Sequence, residues 1–95
     1  MTVKIVIRRH LPNETKEQTY PLVMKLRESA MRQAGYISGE TLRNFDDPED
    51  FIVISTWQSL QDWRTWEANA ERIKLQEELD SYARRKTEHV ACYNT

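Results

Sequence analysis

The chain has little cysteine, almost no net charge and no long apolar run, and each absence excludes a class of protein. Its single cysteine, Cys92, cannot form an intramolecular disulfide. Because Cys92 lies in an apolar stretch near the C-terminus, we expect a buried thiol in a reducing compartment. The net charge of −1 provides no field that would attract nucleic acid or an anionic membrane, so neither is expected as a partner.

Signals for secretion or membrane insertion are also lacking. No run of about 18 apolar residues occurs, which is the length that a membrane-spanning helix needs. Near the start of the chain, Lys4, Arg8 and Arg9 occupy positions where a signal peptide requires an uninterrupted apolar segment. We therefore expect a cytoplasmic protein.

The length of 95 residues predicts one domain over residues 1–95, with no repeat, low-complexity segment or linker to divide it. A domain of this size buries only about 60–65% of the surface of its unfolded chain. An oligomeric interface would therefore add useful stability.

Four strands are predicted from the spacing of apolar residues. Val3, Ile5 and Ile7 alternate with polar positions, as in a half-buried strand. Residues 45–49 contain the turn-forming sequence Asp-Asp-Pro and join two strands in a hairpin with a longer loop. The predicted strands are 3–9, 36–44, 50–57 and 89–93.

Two helices are predicted between these strands. The first begins near Lys16 or Tyr20 and ends at Ala34, and Gly35 suits its C-terminal cap. Its apolar stripe is predicted to be Val23, Leu26, Ala30 and Ala34. The second begins at Ser59, which forms a variant of the capping box with the acid three residues later. Two apolar stripes along this helix are rotated from one another, which predicts a bend near Asn69.

The order strand, helix, strand, strand, helix, strand predicts an α+β, ferredoxin-like split βαβ fold: a four-stranded antiparallel sheet with its helices on one face. Residues 51–54 are apolar at four successive positions, so both faces of that strand must be hidden from water. Since two helices cover only one face, we expect a homodimer in which two sheets pack together, a dimeric α+β barrel.

Three phrases then resemble the antibiotic biosynthesis monooxygenase family. They are GYISGETL at 35–42, STWQS at 55–59, and DWRTWE at 62–67 followed by AER at 70–72. The resemblance implies a small dimeric α+β barrel that holds its ligand between the sheet and the helices. It also implies either a cofactor-independent oxygenase acting on quinols and polyphenolic aromatic compounds, or a branch that binds and degrades haem.

The haem-degrading branch builds its site from an asparagine on the first strand, a tryptophan on the second helix and a later histidine. This chain resembles it at Trp66, but has Ile7 or Arg8 at the strand position and Gln76 at the histidine position. Without an axial donor, haem is not expected as a cofactor. No metal is expected either, since the two histidines and one cysteine have no ligand spacing and the acidic run at 46–50 is typical of a solvated turn.

Catalytic roles are assigned to Trp66 and His89. Trp66 lies where the family lines its pocket, and its indole N–H could orient a polar substrate atom. Histidine suits acceptance of a phenolic proton near neutral pH. The competing interpretations are a core residue for Trp66 and a solvated strand end for His89. The residues assigned to substrate binding are Tyr36, Arg43, Asn44, Trp63 and Gln76, of which Trp63 is most simply a core residue.

Two functions follow from these assignments. The first is oxidation of a quinol or polyphenolic substrate by dioxygen without a cofactor. The alternative is a dimeric module that binds a small molecule, or serves as a structural partner, without turnover. The missing asparagine and histidine favour the alternative.

Overall fold

The computed structural model describes all 95 residues, Met1–Thr95. Four strands form one sheet: β1 (Val3–His10), β2 (Tyr36–Arg43), β3 (Asp50–Trp57) and β4 (Glu88–Cys92). Their order is β2-β3-β1-β4, and each neighbouring pair is antiparallel. This is the predicted ferredoxin-like arrangement, which is confirmed.

The helices lie between the strands as predicted. A short 3₁₀ turn at Asn13–Thr15 leads into α1 (Lys16–Met31), and the segment after β3 forms α2 (Leu60–Glu67) and α3 (Ala70–Asp80). The Ser59 hydroxyl accepts a hydrogen bond from the Asp62 backbone N–H at 3.1 Å, which caps α2. The Asn69 side chain caps α3 in the same way, so the predicted bend near Asn69 is a break between two helices.

The core lies between the helices and the inner face of the sheet. Its buried apolar residues are Val3, Ile5, Ile7, Leu11, Leu22, Leu26, Trp57, Trp63, Trp66 and Leu79. The buried face of α1 differs from the predicted stripe: Leu26 is buried, but so are Thr19, Leu22 and Ser29. Val23 and Ala30 are only partly buried: they pack against the core but also line a cavity.

Gly35 joins α1 to β2 in a conformation that only glycine adopts easily. Its φ is +86°, in the left-handed region. A Cβ added at this position would lie 2.5 Å from the Cβ of Asp62 in the first turn of α2. Gly35 therefore allows α2 to pack directly against the turn that begins β2.

The outer face of the sheet is apolar at its centre. Val6, Ile52 and Ile54 lie on this face and are half-buried in the single chain, while Leu42 and Val90 are 44% and 54% exposed. A dimer that covers this face stays a prediction.

The predicted burial of Cys92 is wrong for the single chain. Cys92 is exposed, because it lies opposite Lys4 on the outer face of the edge strand β4. None of the three helices is long and apolar enough to cross a bilayer.

Candidate functional site

A cavity of about 200 Å³ lies between the sheet and the helices. One wall comes from β1, β2 and β3, and the opposite wall comes from α1 and from the α2–α3 break. Its lining is mostly apolar and includes Ile7, Val23, Leu26, Ala30, Val53 and Trp57. A cavity of about 150 Å³ lined by apolar side chains can hold benzene, so this one has room for a substituted aromatic ring.

Aromatic side chains form one end of the cavity. Trp63 and Trp66 lie on α2, and both are buried, with 1% and 4% of their surface exposed. The Trp63 ring packs edge-on against Trp57 with centroids 5.8 Å apart, and Trp57 packs in the same way against Tyr36 at 5.4 Å. Three of the sequence-predicted site residues, Tyr36, Trp63 and Trp66, are thus brought together around the cavity.

Two details of this aromatic end have consequences for a ligand. The Trp57 indole N–H donates to the Ser55 hydroxyl at 3.1 Å, but the buried Trp63 N–H has no partner in the protein. A Cβ on Gly39 would lie 2.5 Å from the Tyr36 hydroxyl, so the absence of a side chain at Gly39 leaves room for that hydroxyl. The Trp63 N–H and the Tyr36 hydroxyl are therefore both hydrogen-bond donors on residues that line the cavity.

Arg9 also lines the cavity, and sequence reasoning missed it. It follows Val3, Ile5 and Ile7 on the inner face of β1 and is only 6% exposed. Its Nη1 donates to the Gln76 side-chain oxygen at 2.8 Å, while its buried Nε has no partner. Burial, together with the positive charge of Arg72, lowers the pKa of Arg9 to about 10. The sequence did contain a signal for it: Arg9 occupies the next inward-facing position of β1 after Ile7.

Arg72 is a second buried guanidinium in the lining, and it was not singled out either. It lies in the first turn of α3 and is 9% exposed. Its Nη1 donates to the Glu67 backbone oxygen at 3.2 Å, and its guanidinium carbon lies 5.3 Å from the centre of the Trp63 ring. Burial lowers the pKa of Arg72, although the nearby carboxylates of Glu67 and Asp80 oppose this.

Gln76 and His89 do not line the cavity. Gln76 instead supports Arg9, and its amide N–H group donates to Asp80 and to Thr87 at 2.8 and 3.1 Å. The His89 ring lies 5.5 Å from the Trp63 ring, and its Nε2 is 2.7 Å from the Glu67 carboxylate. Both residues therefore contact groups that line the cavity, and their assigned roles stay predictions.

Arg43 and Asn44 lie farther away, at the end of β2. The Arg43 guanidinium stacks on Phe51 at 4.7 Å and donates to the Tyr20 hydroxyl at 2.9 Å. The Asn44 amide donates to the Asp50 carboxylate at 2.9 Å. Neither residue lines the cavity, because the hairpin carries this end of β2 past it. No cluster of three histidine, cysteine or acidic side chains with metal-binding geometry is present.

The Asp50 carboxylate is the best-paired acid in the molecule. Its side chain is 2% exposed and accepts two hydrogen bonds from Arg8, at 3.0 and 2.7 Å, besides the bond from Asn44. His10 lies 3.8 Å away. The hydrogen bonds from Arg8 and Asn44 hold the pKa of Asp50 well below its ordinary value.

This low pKa predicts a stability that depends on pH. The contribution of Asp50 is fully present above the unfolded-state pKa of about 3.9 and is lost as the pH falls toward the lower folded-state pKa. Replacement of Asp50 by asparagine should therefore lower the thermal midpoint at pH 6, and the difference from wild type should shrink below about pH 4. The control is Asp46→Asn in the loop that precedes β3, where the residue is exposed. A midpoint difference that stays constant between these pH values would contradict this role of Asp50.

The sequence matches the family model for antibiotic biosynthesis monooxygenases over residues 2–78. The chain belongs to the antibiotic biosynthesis monooxygenase family. This agrees with the resemblance noted in its three sequence phrases. No match was found among curated protein sequences.

Several solved structures are similar to this antibiotic biosynthesis monooxygenase domain. A conserved protein from Methanosarcina mazei Go1 has a TM-score of 0.91 at 14% identity, covering 100% of this chain and 94% of that one. SnoaB, a cofactor-independent oxygenase from Streptomyces nogalater, has a TM-score of 0.83 at 18% identity, covering 99% and 93%. Rv0793 from Mycobacterium tuberculosis has a TM-score of 0.87 at 8% identity, covering 100% and 96%. At these identities the similarity shows a shared fold.

Proposed function

We propose that this protein is a monooxygenase that oxidises a quinol or polyphenolic aromatic substrate with dioxygen and without a cofactor. The observation that carries the proposal is the cavity of about 200 Å³ with Tyr36, Trp63 and Trp66 at one end. Its size and aromatic walls suit a planar ring. Family membership and the similarity in fold to SnoaB, described as a cofactor-independent oxygenase, support the type of reaction.

In the proposed reaction the main task of the protein is to position the substrate. An ionised quinol is electron-rich enough to reduce dioxygen itself. One oxygen atom forms a new C–O bond on the ring, the other leaves as water, and the substrate supplies all the electrons. The protein would hold the ring against Trp66, exclude water and keep the substrate ionised. His89, which was assigned as the base, does not line the cavity, whereas the phenol group of Tyr36 belongs to a lining residue.

The decisive assay is oxygen consumption with naphthoquinol and anthrone, without added flavin or metal. We expect uptake faster than autoxidation, and labelled dioxygen should place one labelled atom in the product. Stoichiometric hydrogen peroxide with an unlabelled product would instead indicate electron transfer alone and would contradict monooxygenation.

A second function, binding without turnover, is favoured by one observation: neither His89 nor Gln76 lines the cavity. This alternative predicts saturable binding of the same compounds with oxygen uptake no faster than the uncatalysed rate. In both cases we propose that the working form is a homodimer in the cytoplasm, where the exposed thiol of Cys92 would stay reduced.

A further inference from the structure

The cavity is mostly apolar but is lined by two buried positive charges to which no carboxylate is directly bonded. Arg9 and Arg72 are both buried and both line it, yet neither forms a salt bridge. The partners of Arg9 and Arg72 are an amide oxygen of Gln76 and a backbone oxygen of Glu67, which are neutral acceptors. A buried cation is ordinarily paired with an anion, because its desolvation is costly.

The acids nearest to this pair, Asp80 and Glu67, form hydrogen bonds with other groups, although their charges still act on the arginines. Asp80 accepts from Gln76 and Thr87, and the Glu67 carboxylate contacts Arg64 and His89. The other charged residues of the lining, Arg27 and Glu40, are exposed at its rim. Both buried charges that line the cavity are therefore positive, and neither has a carboxylate bonded to it. With a pKa of about 10, Arg9 is charged at neutral pH.

Donors without acceptors are found at the same place. The Nε of Arg9 and the indole N–H of Trp63 are buried and have no partner, although most buried polar groups in proteins do. Arg9 and Trp63 both line the cavity, and Trp63 is stacked with the guanidinium of Arg72. Two unused donors on residues that line the cavity, together with two buried cations that no carboxylate bonds, favour an oxygen anion as the ligand.

We propose that the ligand of this cavity is an aromatic anion, a phenolate or an aryl carboxylate, whose charged oxygen is held by Arg9 and Arg72. This inference rests on the proposed function, because it takes the anion to be the substrate of the proposed oxygenase. For a phenolic substrate, the O–H bond breaks, the electron pair stays on oxygen and the proton leaves to water at the mouth of the cavity. The two arginines favour the ionised form, so the site does not depend on a strong base. Gln76 is then a positioning residue that acts through Arg9.

Two probe experiments, with compounds that dioxygen does not oxidise, test this separately from turnover. The first is naphthoate against the neutral naphthamide, with binding followed by tryptophan fluorescence. Charge-assisted hydrogen bonds predict that the wild-type protein binds the acid about 10- to 100-fold more tightly than the amide. The second is para-nitrophenol, whose absorbance reports its ionisation. Its ionisation midpoint should fall on binding, whereas an uncharged apolar cavity would raise it.

Arg9→Met should remove the preference for the acid and raise the bound nitrophenol's midpoint above that of the free compound. Its thermal midpoint should equal or exceed that of the wild type, because an unpaired buried cation is removed. The control is Arg32→Met, which removes an exposed cation outside the cavity. If Arg9→Met does not fold, Arg72→Met carries the same expectation.

The outcomes separate the two proposals. If the only effect is tighter binding of naphthoate than of naphthamide, the ligand is a carboxylate. If the only effect is a lowered ionisation midpoint of nitrophenol, the ligand is a phenolate. Either result supports the inference. Equal binding of acid and amide together with an unshifted or raised nitrophenol midpoint would overturn it, even if naphthoquinol is oxidised. Conversely, selective binding of the anion with no oxygen uptake from any quinol would leave the inference standing and would reject the oxygenase.

Discussion

Replacement of Trp66 by alanine is expected to abolish quinol-dependent oxygen uptake in a protein that still folds. Trp66 lies at the end of α2, just before the break at Asn69, and its side chain lines the cavity. Truncation would remove the wall that holds the substrate ring in a reactive orientation, and small misplacements cost large factors in rate. Uptake should fall at least 100-fold at a temperature well below the unfolding midpoint.

The competing interpretation makes Trp66 a core residue. In that case its truncation would lower the free energy of unfolding by about 3–5 kcal/mol, and activity would be lost only where the protein unfolds. The matched control is Leu79→Ala, because Leu79 is fully buried but does not line the cavity. Leu79→Ala should lower stability by about 2–5 kcal/mol and retain uptake below its midpoint. Normal uptake by folded Trp66→Ala would refute the role of this residue.

Replacement of Ile54 by aspartate is expected to split the dimer or unfold the protein. Val53 faces the cavity, whereas Ile54 lies on the outer face between Val6 of β1 and Glu40 of β2. If two sheets pack together there, the new carboxylate would be buried without a partner, at a cost of several kcal/mol. Light scattering of the wild type at micromolar concentration should give twice the chain mass of 11.3 kDa.

Ile73→Asp is the matched control for this experiment. Ile73 is 42% exposed on α3, so the same change is made on a helix surface away from the outer face of the sheet. The dimer should survive it. A stable wild-type monomer, or an Ile54→Asp variant that keeps the mass of a dimer, would overturn the barrel architecture.

Much of the fold could be predicted because its determinants are local. The alternation of Val3, Ile5 and Ile7 indicates a strand, and the hydroxyl of Ser59 caps the helix that follows it. The break at Asn69 was likewise indicated by the rotation between two apolar stripes. The buried face of α1 was predicted less well, because a cavity beside Val23 and Ala30 leaves them only partly buried.

The site was predicted in part. Tyr36, Trp63 and Trp66 line the cavity, but Arg43, Asn44, Gln76 and His89 do not. Side-chain chemistry suggested Arg43, Asn44 and His89, whereas Gln76 was suggested by its alignment with the histidine of the haem-degrading branch. What a polar side chain contacts depends on neighbours that sequence patterns do not specify, such as Tyr20 for Arg43 and Glu67 for His89.

The sequence by itself determined the order of strands and helices, the Ser59 cap and the family, because each depends on residues close together in the chain. Only the tertiary structure decided which buried charges are left without an ion pair. Arg9 and Gln76 are 67 positions apart and meet through the packing of α3 against the sheet. Whether an arginine is solvated, paired or available for a ligand is set by burial and distance, and both arise only when the sheet and helices enclose the cavity.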